Sequence, residues 1–326
     1  MSEAPYRYRA FGVEIASAIP LSGLPPGAGA PEVFISVGEL PAGPPGTAGD
    51  ARLRHAAPGE YLCRSPLFGG YSVRRGREIL LAPEFSAYRE ENLRAFDMLE
   101  TVFTYLWLQR GALCLHASSV NMNGRAVLIT GDEGSGKSTL SAALAGRGHG
   151  KLADDLSFIV FGPDGAPRVV SLCTRQNLTP EALALLGLER DGAAKLPGEE
   201  KYSLPCFSGT SGPVPLERIY HLSPRDSDEI DFIPLVGIEK FAVLIANIRR
   251  GDVAAQLFPQ RGSSMERLAL LARSAAVGRI IRPRRRCLAE LADIVEEIST
   301  KGGMTDGGRE EEKRVVRPAA PFAAGT

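Results

Sequence analysis

An excess of charge of either sign is missing from this chain. Lysine plus arginine and aspartate plus glutamate number 38 each among 326 residues. That balance speaks against nucleic acid or an anionic membrane as the main partner, since both are captured by a basic field. Long apolar runs are missing too. None approaches the roughly 20 residues of a bilayer-spanning helix. The opening residues, MSEAPYRYRAFG, lack the apolar stretch of a secretory signal. Cysteine is sparse. The five residues Cys63, Cys114, Cys173, Cys206 and Cys287 are widely spaced, and none falls in a CxxC pair. This argues against a zinc site and against a disulfide framework, and the expected compartment is a reduced cytoplasm. No segment repeats.

What the chain does contain is concentrated in residues 127–139, VLITGDEGSGKST. They match the phosphate-loop pattern GxxxxGK[ST], with Gly131, Gly136, Lys137 and Ser138 in the fixed slots. The flanks suit the pattern. An apolar run of strand length precedes it, and STLSAALA after it reads as the first turns of a helix. Strand, glycine loop and helix together aim several backbone N–H groups at one phosphate. Gly134 and Gly136 allow the tight turn. Lys137 can reach the β- and γ-phosphates, and the Ser138 hydroxyl can ligate Mg²⁺. The expected nucleotide-binding set is Gly131, Gly134, Ser135, Gly136, Lys137, Ser138 and Thr139.

Around this loop the sequence divides into three. Residues 1–85 read as β-rich, with short alternating runs punctuated by Gly and Pro. A helix is expected over Ala87–Gln109, where Leu93, Phe96, Leu99, Val102, Phe103, Leu106 and Trp107 form an apolar stripe suited to a core. Strands are expected at 113–120 (LCLHASSV), 156–161 (LSFIVF), 168–172, 219–222 and 229–233. Helices are expected at 180–188, 239–247, 264–277 and 288–298. Residues 189–215 read as irregular. From 301 to 326 the composition is that of a disordered tail.

A phosphoryl-transfer site needs an acidic group for the metal and a base for the acceptor. The pair Asp154–Asp155, placed between a turn and the LSFIVF strand, can divide those tasks, and like charges so close push their pKa values apart. An acidic surface turn is the alternative. His116, in an apolar strand of the same sheet, either stabilises phosphate charge or is a satisfied core residue. Arg279, Arg282, Arg284, Arg285 and Arg286 could clamp a phosphate or form the solvated approach to a helix. Lys195 and Lys201 could close on a nucleotide or belong to an ordinary surface loop.

LHASSV, a short turn, AVLITGDEGSGKSTL and then RGHGKLADDLSFI together resemble the catalytic domain of HPr kinase/phosphorylase, over about residues 111–160. The resemblance implies an α/β P-loop kinase domain of the fold shared with phosphoenolpyruvate carboxykinase, over residues 86–300. The smaller β-rich domain of residues 1–85 would then hold a peptide substrate. It implies ATP and Mg²⁺ as cofactors and serine phosphorylation as the activity. By motif position Asp155 would be the base, Asp154 and Ser138 the metal-side ligands, and His116 and Lys137 neighbours of the transferred phosphate.

Two departures bear on the acceptor. The loop ends Lys-Ser-Thr where the bifunctional enzymes have Lys-Ser-Glu, and their later Glu-x-Arg-Gly-Leu-Gly segment has no match. The chain is thus more similar to stand-alone HPr-kinase-related proteins, some of which phosphorylate a serine of a lasso precursor peptide. The expected partner is a peptide or small protein bearing an acceptor serine, with neither nucleic acid nor membrane, and a homo-oligomer is compatible with the family. The alternatives are a reversible HPr(Ser) kinase/phosphorylase, a small-metabolite kinase and a non-catalytic nucleotide sensor.

Overall fold

The computed structural model describes residues 4–21, 24–47, 52–66, 69–86, 94–172, 175–189, 193–196, 200–206, 210, 212–226, 228–257, 264–284, 287–300 and 317–318. It is a mixed α/β structure. Seven short strands come first: β1 (Tyr6–Ala10), β2 (Val13–Ser17), β3 (Val33–Val37), β4 (Arg54–Ala57), β5 (Glu60–Ser65), β6 (Gly69–Arg74) and β7 (Glu78–Leu81). They form one sheet in the order β1-β2-β3-β7-β6-β5-β4. Then follow α1 (Pro83–Ser86), α2 (Arg94–Gln109), β8 (Leu113–His116), β9 (Ser118–Met122), β10 (Arg125–Gly131), α3 (Lys137–Gly146), β11 (Gly150–Ala153), β12 (Leu156–Phe161) and β13 (Pro167–Val170). The next are β14 (Arg175–Leu178), α4 (Pro180–Leu186), β15 (Ala194–Lys195), β16 (Tyr202–Pro205), β17 (Val214–Arg225), β18 (Glu229–Pro234), α5 (Gly237–Ala246), α6 (Gly251–Leu257), α7 (Ser264–Ser274), β19 (Ala276–Pro283), α8 (Leu288–Thr300) and β20 (Arg317–Pro318).

The second sheet runs β11-β9-β10-β17-β13-β12-β8, with β19 on β17 and β18 on β19. Its middle is parallel, β10 beside β17 and β17 beside β19. Parallel strands are buried on both faces and read as continuous apolar runs, as Ala126, Val127, Leu128 and Ile129 do, all fully buried. The crevice beyond the carboxyl ends of such strands is where α/β sheets bind ligands. Gly131, Leu222 and the Arg282–Pro283 end of β19 meet there. The strands β14, β15 and β16 make a separate small sheet.

Helix α2 joins the two large sheets. Val102, Phe103 and Leu106 are fully buried. They share one apolar cluster with Val13, Ile15, Val73 and Ile79 of the first sheet and with Cys114, Phe158 and Val170 of the second. The Trp107 Nε1–H donates to Phe11 O at 3.0 Å. Gln109, itself buried, accepts from Gly76 N and donates to Val73 O, both at 2.7 Å.

Several elements depart from the sequence-based expectation. The run 113–120 is two strands, not one. It breaks at Ala117, whose N–H donates to Asp155 O, because β8 pairs with β12 while β9 pairs with β10 and β11. The helix expected to reach Val277 stops at Ser274, and Arg279 and Arg282 lie on β19, not on a helix approach. Residues 189–215 hold β15 and β16, and α6 lies where no element was expected. Residues 87–93 at the start of the expected long helix, including Leu93, lie outside the described residues, as do the Phe96 side chain, Arg285 and Arg286. Of the tail, Arg317–Pro318 pair antiparallel with β18, and the remainder lies outside the described residues. Cys206 is disulfide-bonded, against the expectation from spacing, which registers local pairs and not a bond closed by the fold. Among the described residues, no helix is long and apolar enough to cross a membrane.

The link through Gln109 is testable. Gln109→Leu keeps the bulk but strands a buried N–H and a buried carbonyl, so urea unfolding should show a loss of about 2 kcal/mol. An unchanged midpoint would show that α2 holds the first sheet by apolar contact alone.

Candidate active site

The loop between β10 and α3 is built on backbone that only glycine adopts readily. Gly131 has φ 143° and Gly136 φ 96°. A Cβ on Gly131 would lie 2.7 Å from Leu222 O, so the loop can cross β17 only without one. The loop is clamped from β19. Arg282 donates from Nε and Nη2 to Ser135 O at 3.0 and 2.7 Å. Lys137 Nζ lies inside the loop on the carbonyls of Gly131 and Asp132, at 2.8 and 3.0 Å. Burial lowers its pKa below the ordinary lysine value.

Over the loop opens a cavity of about 880 Å³. Gly134, Gly136, Lys137, Ser138 and Thr139 line it from the loop side, and His116 and Asp155 from the other strands. Asp155 offers a carboxylate whose side chain is 74% exposed. Its backbone is held, since Asp155 O accepts from Ala117 N at 3.1 Å. His116 sits opposite Leu156 in the β8–β12 pair, which brings its Nε2 to 3.3 Å from Asp155 Oδ1.

A residue that sequence reasoning missed decides the state of this histidine. The chain after α5 runs back along β8, with His116 N donating to Asn247 O and Arg249 N to Cys114 O. Arg249 Nη2 thereby lies 2.9 Å from His116 Nδ1. A guanidinium can only donate. Nδ1 therefore carries the lone pair, Nε2 carries the proton, and His116 is neutral and donates to Asp155. Its pKa is lowered by burial first and by the nearby Lys137 charge second, in the same direction. Arg250, Asp252, Asn177 and Lys201 also line the cavity, and Lys195 is not among the lining residues. The Arg-Arg-Gly after a predicted helix was the available signal for Arg249, and it is a weak one.

Asp154 is not brought to this cavity. Its Oδ1 accepts from Lys151 Nζ and its Oδ2 from Asn177 N, both at 2.8 Å. Lys151 is 1% exposed in its side chain and Asp154 10%. Ser118 Oγ donates to Asp154 O. Each carboxylate oxygen thus carries one scaffold hydrogen bond, and Asp154 lines the adjoining cavity of about 230 Å³ and not the main one that holds Ser138. Adjacent residues at the entry of a strand project to opposite sides, so Asp154 turns inward as Asp155 turns out. Among the described residues, no cluster of three or more His, Cys, Asp and Glu is placed to hold a metal ion. Mg²⁺ at a nucleotide site needs no such cluster, because phosphate oxygens and water fill most of its shell. The Ser138 hydroxyl at the head of α3 fits that requirement.

No family model matches the chain. A 51-residue segment is 49% identical to HPr kinase/phosphorylase of Burkholderia lata and, equally, to that of Burkholderia cenocepacia strain HI2424. The segment is 15% of this chain, and the chain spans 16% of the length of these curated relatives. The solved HPr(Ser) kinase/phosphatase of Coxiella burnetii superposes with a TM-score of 0.30 at 15% identity, over 57% of this chain and 95% of that one. The segment, and not the superposition, carries the likeness to HPr kinase/phosphorylase.

The scaffold role of Asp154 predicts the effect of breaking its ion pair. Lys151→Met leaves a buried carboxylate uncompensated and should cost about 3 kcal/mol in chemical unfolding. A variant as stable as the parent would release Asp154 from that role.

Proposed function

We propose that this chain is an ATP-dependent kinase that transfers the γ-phosphoryl group to a serine hydroxyl of a peptide or small protein. The observation that carries the reading is Asp155, a carboxylate exposed across one cavity from Lys137 and Ser138 and oriented by a neutral His116. A nucleotide-binding module has no use for a base so placed. The likeness of a segment to HPr kinase/phosphorylase, proteins named for action on a small protein, supports the acceptor class.

In this reading the loop N–H groups and Lys137 hold the β- and γ-phosphates, and Ser138 would hold Mg²⁺, which supplies charge neutralisation across those phosphates. Asp155 takes the proton of the serine hydroxyl. The serine oxygen bonds to the γ-phosphorus as the bond to the β–γ bridging oxygen breaks, and ADP leaves with that electron pair. Arg249 and Lys137 balance the charge that develops on the transferred group. The His116 N–H keeps one Asp155 oxygen engaged and leaves the other for the hydroxyl. The acceptor has its own approach. A side cavity of about 230 Å³ shares Asp155, Leu156, Asn177 and Arg250 with the main one and is otherwise lined by α2, by Ala153 and Asp154, and by Phe158, Leu172 and Arg175. It takes a side-chain-sized group, such as the end of a peptide segment carried by residues 1–85. A cytoplasmic setting follows from ATP as the donor.

The test is transfer from labelled ATP to candidate precursor peptides, HPr and free serine, with the phosphate located by mass spectrometry. Lys137→Ala should abolish transfer and weaken Mg-ATP binding. Asp155→Asn should still bind ATP while the rate falls about a hundredfold, the usual effect of losing a general base. Asp155→Asn at the parent rate would remove the base from the mechanism, and transfer to free serine alone would replace the peptide by a metabolite.

A further inference from the structure

A second cavity, of about 250 Å³, opens on the other side of the phosphate loop. It shares Gly134, Gly136, Thr139 and Thr179 with the main cavity but neither His116, Lys137, Ser138 nor Asp155. Its walls are of a different chemistry. Leu185 of α4 lines one side, and Leu288 and Leu291 of α8 another. Leu185 is 38% exposed although it stands on a helix closed at both ends, by Thr179 as N-cap and by left-handed Gly187. Glu181, Arg282 and Arg284 add polar groups to the lining, which Ala182 and Cys287 complete.

We propose that this slot is the nucleobase site of the nucleotide whose phosphates the loop holds. The inference rests on the kinase reading and adds which residues hold the base. The first argument is direction. The transferred phosphate must lie at the Asp155 and Lys137 end of the main cavity. The remaining phosphates then run back along the loop over Thr139, the third residue of α3, and the rest of the nucleotide leaves on the side away from Asp155. The apolar slot lies on that side, joined to the main cavity by the loop residues that the two share.

The second argument is chemistry. A nucleobase is a flat ring with two weakly hydrated faces and a polar edge. Aliphatic side chains from two helices suit the faces, and a carboxylate and a guanidinium suit the edge. A third argument is rigidity. The side of the loop facing this slot is held by the Arg282 fork on Ser135 O, and α4 on the opposite wall is capped at both ends. The slot is therefore formed before a ligand arrives, which is the usual condition of a small-molecule site.

The experiment compares ATP with inorganic tripolyphosphate, each with Mg²⁺, by calorimetry on the whole chain. Tripolyphosphate reads the phosphate loop alone, and the difference between the two ligands reads the base. Leu185→Gln and Leu288→Gln keep size and add no charge. Each should weaken ATP about tenfold while tripolyphosphate affinity stays within about twofold. Leu185 is exposed enough that its variant should keep the parent circular dichroism and melting temperature, which keeps the test valid if the Leu288 variant unfolds. ATP affinity unchanged in Leu185→Gln, or both ligands weakened alike, would overturn the slot and leave the phosphate loop standing. A parent protein that binds neither ligand would overturn the kinase reading, and the slot with it.

Discussion

The geometry of the candidate site depends on one buried ion pair. Lys151 and Asp154 meet at 2.8 Å with side chains 1% and 10% exposed. Such a pair gives little net stability, because desolvation of both charges offsets their attraction, but losing either partner is costly. Its value here is positional. Asp154 also receives Asn177 N from β14 and, through its carbonyl, the Ser118 hydroxyl of β9. Three separate segments, β11, β14 and β9, are thus pinned to the residue before Asp155. With the Asp155 carbonyl held by Ala117 N, the outward carboxylate has a fixed base and a free end.

The electrostatics of the cavity follow from what surrounds that end. Arg249 can only donate, so it sets the tautomer of His116, and His116 in turn orients Asp155. Lys137 is drawn into its own loop by two carbonyls, where a bound phosphate would replace them. Arg282 grips the same loop from outside and acts as a brace, without contact to the main cavity. Arginines met as one basic cluster in the sequence therefore divide. Arg282 supports the phosphate loop, Arg284 lies by the apolar slot, and Arg279 sits in β19 opposite His221.

The two large sheets do not stand apart. The buried face of α2 is shared between them, with Phe103 and Leu106 in one cluster with Val13 and Ile79 on one side and Phe158 and Val170 on the other. This places the first sheet and α2 against the strands that carry the acidic pair. It also sets Thr101 and Thr104 of α2 beside Asp155 in the side cavity, a proximity between residues some fifty positions apart that no local pattern announces.

What the sequence determined by itself is what depends on near neighbours. The phosphate loop is one, because Gly131, Gly136, Lys137 and Ser138 act at fixed spacing on continuous backbone. The apolar stripe of α2 and most strand positions are others, since burial period is a local property. The resemblance of residues 111–160 to HPr kinase/phosphorylase was legible for the same reason. Only the tertiary structure decided the rest. It turned Asp154 inward because Lys151 is buried beneath it. It brought Arg249 to His116 because the chain after α5 runs along β8, and it set leucines of α4 and α8 across one slot beside the loop. Each of these is a pairing of side chains distant in sequence. Their energies exist only once the sheets are assembled, so no window of the sequence contains both partners.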